Sequence, residues 1–380
     1  MNKNLSILIV GAGPTGMMLG CRLLQEGLFC RIIDRRSIRE DATRAIGVTG
    51  STLKLFSELG IAQNFLKCSL VTDRIQFYWE GKSYLSLKAQ FVYSTQPLIE
   101  AALEQKFLSL GGQIEWDTEL TELNAIDVGN RIILVKQQQS LQEDFTYVIG
   151  CDGGQSIVRS KMQVEYERED YQAFFCLADL ELDSAIEGTY AHYFLTEQGY
   201  CMLIPIPGNR YRVIFSFLGE HTSDFHKRMN AKEFENLVAV RTKKNIKVKT
   251  VIWKTSGPFR YQVVLNPVEN RLVLAGDALH VFSPIGGTNM NFGLLDAAKL
   301  ADCFAQITNG QSSQSVLSAY ADNRLKVMRE NMQVTRAATY LITRSPQRDL
   351  TYEKKFEPCR ENCHFLRAVL PKQLSLENYY

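Results

Sequence analysis

The chain has 380 residues, of which 45% are hydrophobic and 22% are charged. That composition is typical of a folded globular protein and excludes a disordered one, while the length favours more than one domain. The 43 Lys and Arg residues are nearly balanced by 41 Asp and Glu residues, so the formal charge is only +2. This near-neutral charge argues against a nucleic-acid partner. The nine cysteines are odd in number and lack a disulfide-like spacing, so a reducing compartment is expected.

The first 34 residues predict a complete βαβ unit, with strands at 5–10 and 30–33 and a helix at 17–27. Later apolar periodicity predicts helices at 52–65, 96–110, 231–240, 291–307 and 315–341. Strands are predicted at 74–87, 112–122, 131–136, 145–150, 171–182, 189–195, 200–206, 211–218 and 271–275. The fold class is therefore α/β: a Rossmann-like parallel sheet interleaved with a mostly antiparallel β-sheet, followed by a C-terminal helical segment.

No integral membrane segment is expected, because no run reaches the roughly 18–20 apolar residues that a membrane helix needs. The apolar run at 5–10 leads into a glycine turn without a signal-peptide cleavage site, which favours the cytoplasm. Cys359, Cys363 and His364 stand without a second ligand cluster, so no metal site is predicted.

A glycine loop lies between the first strand and the first helix. Gly11, Gly13 and Gly16 form a GxGxxG pattern, with Pro14 and Thr15 inside it. In such a loop, the glycines allow a tight turn, a close approach of a pyrophosphate and close packing of helix on strand. The N–H groups at the start of the helix then face the phosphates.

The residues after the second strand indicate which nucleotide the loop binds. Asp34 suits hydrogen bonding to ribose hydroxyls and would repel a 2′-phosphate, which favours the ribose of FAD or NAD. Arg35 and Arg36 leave NADP open as an alternative. The motif therefore predicts dinucleotide binding without deciding the dinucleotide.

Further segments occur in a fixed order after this loop: CDGGQSIVR at 151–159, GDALH at 276–280 and SPIGGTNMNFG at 283–293. With the first loop, they resemble the group A flavoprotein aromatic hydroxylases, the class of para-hydroxybenzoate hydroxylase and phenol hydroxylase. The resemblance runs from residue 1 to about residue 340. It implies FAD as cofactor and NADPH or NADH as co-substrate.

The resemblance also implies site residues. FAD would be held by Gly11, Gly13, Pro14, Thr15, Gly16, Asp34, Arg35, Arg44, Gln96, Asp152, Gly276, Asp277, Gly287, Met290 and Asn291. The carbonyl of Pro284 would position the substrate hydroxyl. Asn289 stands where the family mostly has glycine, and asparagine tolerates a left-handed backbone better than most residues do.

The implied reaction is hydroxylation of an aromatic or polyketide-like substrate by O2, through a flavin C4a-hydroperoxide. The N-terminus of the helix after residue 286 would stabilise negative charge on reduced flavin. Met202, Ile204 and Phe215 are candidates to line the substrate pocket. Arg210 and Arg212 have two possible roles: they bind a substrate carboxylate or a phosphate, or they are solvated residues at a strand end. His280 is expected to make a structural hydrogen bond.

The predicted domains are an FAD-binding domain at 1–75, 97–160 and 266–314, a substrate-binding sheet domain at 76–96 and 161–265, and a helical segment and tail at 315–380. A monomer or homodimer is expected. Other flavin enzymes remain alternatives. A halogenase is disfavoured because no tryptophan precedes Ile204-Pro205, and an isoprenoid reductase is disfavoured by the 283–293 segment. A flavin-binding partner protein without turnover also remains open.

Overall fold

A computed structural model describes residues 5–39, 45–183, 186, 189–196, 198–220, 222, 224–284 and 287–343; Arg44, Cys359, Cys363 and His364 lie outside them. The helices are α1 (Pro14–Gln25), α2 (Gly50–Glu58), α3 (Ala62–Lys67), α4 (Gln96–Ser109), α5 (Ile157–Ser160), α6 (Phe225–Arg228), α7 (Ala231–Thr242), α8 (Asn289–Thr308) and α9 (Ser313–Thr343). The strands are β1 (Ile7–Val10), β2 (Cys30–Ile33), β3 (Gly47–Val48), β4 (Leu70–Trp79), β5 (Lys82–Tyr93), β6 (Ile114–Glu115), β7 (Thr118–Ile126), β8 (Gly129–Lys136), β9 (Gln139–Phe145), β10 (Tyr147–Gly150), β11 (Tyr166–Leu182), β12 (Ala191–Thr196), β13 (Gly199–Ile206), β14 (Arg210–Leu218), β15 (Val248–Val264), β16 (Val268–Glu269), β17 (Leu272–Leu274) and β18 (His280–Val281).

The parallel sheet has the strand order β16-β17-β10-β1-β2-β6. Its central strand β1 pairs in parallel with β10 on one side and with β2 on the other, and all of its residues are buried. Such a strand is uniformly apolar because helices cover both faces of a parallel sheet. Helix α1 packs against α4 and α8. The predicted Rossmann-like sheet is confirmed.

The large sheet has the strand order β18-β15-β11-β14-β13-β12-β4-β5-β3. Its pairs are antiparallel except β12 with β4, which run parallel. One face, the inner face, joins the core that contains the parallel sheet, whereas the outer face packs on α7. The predicted interleaving of a parallel and a mostly antiparallel sheet is therefore confirmed.

Several boundaries differ from the sequence predictions. The predicted helix at 52–65 is two helices, α2 and α3, because Gly60 takes a left-handed φ of +73° between them. Strands β9 and β15 were not predicted; β9 is largely exposed and polar, so it carries no clear alternation. The domain division stays a prediction. The membership of β4 and β5 in the large sheet supports it, although the boundary at 75/76 falls inside β4.

Among the helices that the described residues form, none is long and apolar enough to cross a bilayer. In the same part of the chain, no group of His, Cys, Asp and Glu side chains is arranged to hold a metal ion.

Candidate functional site

The first glycine loop is tightly packed at one glycine and open at the next. Gly11 has a φ of +107° and donates its N–H to the carbonyl of Ile33 (2.8 Å). A Cβ added to Gly11 would collide with the carbonyl of Cys151, whereas a Cβ on Gly13 would meet no atom within 4 Å. The loop therefore rests directly on the 151–159 segment and leaves space at Gly13 for a group to approach its backbone.

Helix α1 begins directly after this space. Pro14 occupies its first turn, where a missing N–H is harmless, and no side chain caps the helix. Thr15 lies between two other glycines, since a Cβ on either Gly276 or Gly293 would stand 2.5 Å from its Oγ1. The start of α1, the turn at Gly276 and helix α8 are thus in direct contact, which brings three of the sequence motifs together.

Asp34 lies at the end of β2 and is almost completely buried. Its carboxylate accepts hydrogen bonds from the N–H of Ala12 (2.8 Å) and from the backbone N–H, Nε and Nη2 of Arg36 (2.9, 3.0 and 2.8 Å). Burial raises the pKa of Asp34, but these hydrogen bonds outweigh it and hold the pKa below its usual value. Arg35, the arginine assigned to the site from the sequence, is exposed, and its neighbour Arg36 orients the carboxylate instead.

Asp152 caps a short helix. Its Oδ2 accepts the N–H groups of Ile157 (2.7 Å) and Val158 (3.3 Å) at the start of α5. Burial raises the pKa of this carboxyl above its usual value and outweighs the lowering by the Ser156 hydroxyl and by the backbone N–H groups. Its other oxygen, Oδ1, is buried without a partner among the described residues.

Arg159, quoted in the sequence motif without a role, joins two of the turns. Its guanidinium donates to the carbonyl of Gly154 in the 151–159 segment and to the carbonyl of Ala278 (2.9 Å) in the 276–280 segment. These bonds to backbone carbonyls hold the two motifs in a fixed relation, which the separation of the motifs in sequence concealed.

Gln96, the first residue of α4, is oriented by a buried acid. Its Nε2 donates to Glu100 (2.8 Å) and its Oε1 accepts the N–H of Ala45 (3.4 Å). Burial raises the pKa of Glu100. The predicted Gln96 therefore contacts the backbone of Ala45, while Arg44 itself is outside the described residues.

Asn289 and Pro284 shape the loop before α8. Asn289 accepts the N–H of Phe282 (2.7 Å) and donates to its carbonyl (2.9 Å). Asn289 begins α8 and has no positive φ; the left-handed residue is Gly287, at +62°. The explanation of Asn289 by left-handed backbone is therefore wrong, and its side chain closes the loop instead. Pro284 is half-buried, and its carbonyl accepts the N–H of Gly287 (3.1 Å).

Comparison with known proteins identifies this arrangement. The profile of a family described as "FAD binding domain" matches residues 4–335. The chain belongs to this FAD-binding domain family. It is 27% identical over 354 residues to pentachlorophenol 4-monooxygenase of Sphingobium chlorophenolicum, covering 89% of this chain and 65% of the relative. It is 26% identical to 6-methylpretetramide 4-monooxygenase of Streptomyces rimosus, covering 88% and 62%.

The chain thus spans less than two thirds of the length of both relatives. Among solved structures, p-nitrophenol 4-monooxygenase of Pseudomonas putida superposes with a TM-score of 0.82 at 18% identity, covering 98% of this chain and 99% of that one. At that identity the likeness establishes the fold, which agrees with the sheets described above.

The site of this family member fits FAD. Gly13 offers open space to a pyrophosphate, the uncapped α1 offers N–H groups, and Asp34 offers an oriented carboxylate. Asp277 and Gly287 are exposed, and Met290 is half-buried. Their contacts with FAD remain predictions.

The side chain of Asn291 joins the start of α8 to an earlier part of the chain. It is fully buried, and its Oδ1 accepts from Thr49 N (3.0 Å) and Thr52 Oγ1 (2.8 Å). Its Nδ2 donates to the carbonyls of Gly47 (3.0 Å) and Gly287 (2.9 Å). Both amide hydrogens are used, so the side chain of Asn291 fixes the surrounding loops, and contact of Asn291 with FAD through its backbone N–H stays a prediction.

Two of the three residues predicted to line a substrate pocket lie on the inner face of the large sheet. Met202 and Ile204 are buried on this face. Phe215 points to the outer face, where its ring lies 6.2 Å from that of Phe234 on α7. The assignment of Phe215 to the pocket is therefore wrong, because successive residues along a strand point to opposite faces and the preceding Ile214 lies on the inner face.

The two arginines of β14 differ: Arg212 is not a solvated strand-end residue, whereas Arg210 is half-buried at the start of the strand. Arg212 is fully buried and pairs with Asp179 on β11 through Nε (2.5 Å) and Nη2 (3.1 Å). Its guanidinium also lies 5.0 Å from the ring of Trp253. Arg210 donates to the carbonyl of Pro207 (3.2 Å). The buried pair lies beside Ile204, the residue opposite Arg212 on β13.

Proposed function

We propose that the protein is an FAD-dependent monooxygenase, which uses NAD(P)H and O2 to hydroxylate an aromatic or polyketide-like substrate. Membership of the FAD-binding domain family supports the cofactor. The names of its relatives, which act on pentachlorophenol and 6-methylpretetramide, support the reaction and the substrate class. Since those relatives are longer, the activity is offered as a proposal for this chain.

The observation that carries the proposal is the apolar inner face of the large sheet, which shares one core with the glycine loops. Besides Met202 and Ile204, this face presents Phe77, Tyr193 and Ile214. Aromatic and aliphatic side chains suit a flat apolar ring and exclude water from it. Bound FAD supplies the redox and oxygen chemistry, so the chain needs no nucleophile of its own.

The remaining roles belong to the loop before α8. The carbonyl of Pro284 accepts one turn hydrogen bond and retains a second lone pair, which we assign to the substrate hydroxyl. Helix α8 starts at Asn289 without a side-chain cap, and we assign its positive end to the FAD side. In this proposal the protein works in the cytoplasm as a monomer or homodimer.

The test is turnover by the purified protein. Protein reconstituted with FAD is mixed in air with NADPH or NADH and a panel of phenols and polyketide rings. We expect one ring class to accelerate NAD(P)H oxidation and to yield a product heavier by one oxygen atom. Protein stripped of FAD is the matched control, and catalase separates product formation from release of hydrogen peroxide.

Two results would contradict the proposal. A yellow protein that never oxidises NAD(P)H with any ring would favour a flavin-binding role without turnover. NAD(P)H consumption that yields only hydrogen peroxide with every ring would indicate an oxidase instead.

A further inference from the structure

A buried carboxylate on α8 holds segments from three parts of the chain. Asp296 is fully buried. Its Oδ2 accepts hydrogen bonds from the N–H of Gly276 (2.9 Å) and from Nε2 of His280 (2.8 Å). Its Oδ1 accepts from Nε of Arg324 on α9 (2.7 Å). Neither oxygen faces the protein interior unpaired, although no sequence motif pointed to this residue.

This carboxylate is ionised in the folded protein. Burial raises the pKa of Asp296. The nearby Arg324 and His280 and the N–H of Gly276 lower it by more than burial raises it, so the pKa falls to about 2. A charged acceptor with two oxygens can serve all three donors at once. An asparagine at this position has one acceptor oxygen and would point an NH2 group at one of the donors.

The donors lie next to the FAD site. Gly276 has a φ of +64°, packs against Thr15 and precedes the exposed Asp277. Asp296 binds the N–H at the start of this turn, whereas Arg159 binds the carbonyl of Ala278 at its end (2.9 Å). Asp296 therefore holds the backbone N–H of the residue that directly precedes Asp277.

The second donor leads to the loop before α8. The ring of His280 stacks on that of Phe282 at 4.9 Å, and the backbone of Phe282 is held by Asn289. The carboxylate of Asp296 thus contacts the Gly276 turn directly and is linked through His280 and Phe282 to the loop that contains Pro284. Arg324 keeps that carboxylate charged from the other side.

We propose that Asp296 is a positioning residue for FAD, acting through the N–H of Gly276 and through His280, with Arg324 as its charge partner. The proposal rests on FAD binding and on the predicted contact of Asp277, and is independent of the proposed hydroxylation. It predicts that changes at Asp296 weaken FAD binding even in protein that is fully folded.

The experiment measures the FAD dissociation constant of apo-protein by flavin fluorescence, at a temperature where circular dichroism shows each variant to be folded. For Asp296→Asn we expect the constant to rise about tenfold or more, as when a hydrogen bond to an ionised acceptor is lost. Arg324→Lys keeps the positive charge and is expected to bind FAD nearly as the parent does, whereas Arg324→Gln is expected to bind more weakly.

Two matched controls separate position from stability. Asp302→Asn removes a carboxylate from the same helix at an exposed position, and Tyr320→Phe removes a buried hydrogen bond from α9 to the carbonyl of Leu274 (3.1 Å). Both are expected to leave the FAD constant within about twofold, although Tyr320→Phe lowers the melting temperature.

The proposal is overturned if folded Asp296→Asn binds FAD as the parent does, or if Tyr320→Phe with an equal loss of melting temperature binds FAD equally weakly. If Asp296→Asn does not fold, the charge-neutral combination of Asp296→Asn with Arg324→Gln is measured in its place. Failure of both to fold would assign the network to stability alone and would also overturn the proposal.

Discussion

The FAD region and the large sheet each bury an aspartate–arginine pair, but the two pairs have different surroundings. Asp179 and Arg212 are direct neighbours on paired strands, so the backbone ladder already sets their distance. Asp296 and Arg324 lie on different helices, and the carboxylate also holds the turn at Gly276. The first pair therefore adds to the stability of a sheet that exists without it, whereas the second sets the position of a turn.

The largest effect on stability is expected in the sheet. Arg212→Met leaves Asp179 buried without its partner, which costs about 3–5 kcal/mol when a buried pair is broken. Urea unfolding measures this loss, while the FAD dissociation constant of the folded variant should stay unchanged. The double variant with Asp179→Leu should recover much of the loss. A weakened FAD constant in folded Arg212→Met would remove the distinction between the two pairs.

The next effect separates two glycines of one loop. Gly11→Ala combines a positive φ with a collision against the backbone of Cys151, so a loss of roughly 2–4 kcal/mol is expected. The Cβ that Gly13→Ala adds meets no atom within 4 Å, and the backbone of Gly13 has a φ of −77°. The melting temperature of this variant should therefore match the parent's. We expect Gly13→Ala to lose FAD affinity instead, which FAD titration and thermal melting of both apo-proteins will check. Equal melting losses in the two variants would contradict the packing described here.

Acid should weaken the contribution of Asp296. Its folded pKa of about 2 lies below the usual 3.8, so its stabilisation is complete above pH 3.8 and is lost as the pH falls towards 2. The groups that face it are His280, Arg324, Tyr320 and Cys151. A shift of this size corresponds to roughly 2–3 kcal/mol.

The measurement for this effect compares urea midpoints of the parent and of Asp296→Asn between pH 7 and pH 3. The difference in urea midpoint between the two proteins should narrow as the pH falls. Protonation of Asp296 removes its negative charge from the parent, and the substitution has already removed that charge from the variant. A difference in urea midpoint that widens towards pH 3 would contradict the predicted direction of this pH dependence.

The smallest effect is expected at Asn289. Asn289→Gly, which restores the residue common in the family, removes both hydrogen bonds to the backbone of Phe282, at a cost of about 1–2 kcal/mol. Substrate KM should rise more than kcat falls, because the loop that carries Pro284 loosens. Asn309→Gly, after the end of α8, serves as the control. An unchanged KM in Asn289→Gly would leave Asn289 with a role in stability only.

Much of the fold was predictable because its signals are local. The apolar run before Gly11, the strand at 30–33 and the acid at 34 are each visible within a few residues, and the structure places them as expected. Phe215 was assigned to the wrong face because its strand is apolar on both faces, which hides the alternation. Strand β15 was missed since its polar residues follow no clear period.

The contacts of the site were less accessible, because they join residues that are far apart in sequence. Asn291 bonds to Thr49 and Gly47, more than 240 residues earlier, and no local pattern reveals that its amide is fully used. The sequence around Asp296 does contain a local indication of its role. Asp296 is a charged residue inside an otherwise apolar stretch of α8, and such charges are rarely buried unless they are paired.

The strand order also determines when the protein can acquire its cofactor during synthesis. Strand β1 pairs with β10, which the ribosome makes only after well over a hundred further residues, and β17 follows later still. Helix α8, whose side chains hold the loops together, comes after all of them. Contacts of such long range form late and slowly. A nascent chain therefore displays its first glycine loop long before it can retain a nucleotide, and FAD supply matters only once α8 has been translated.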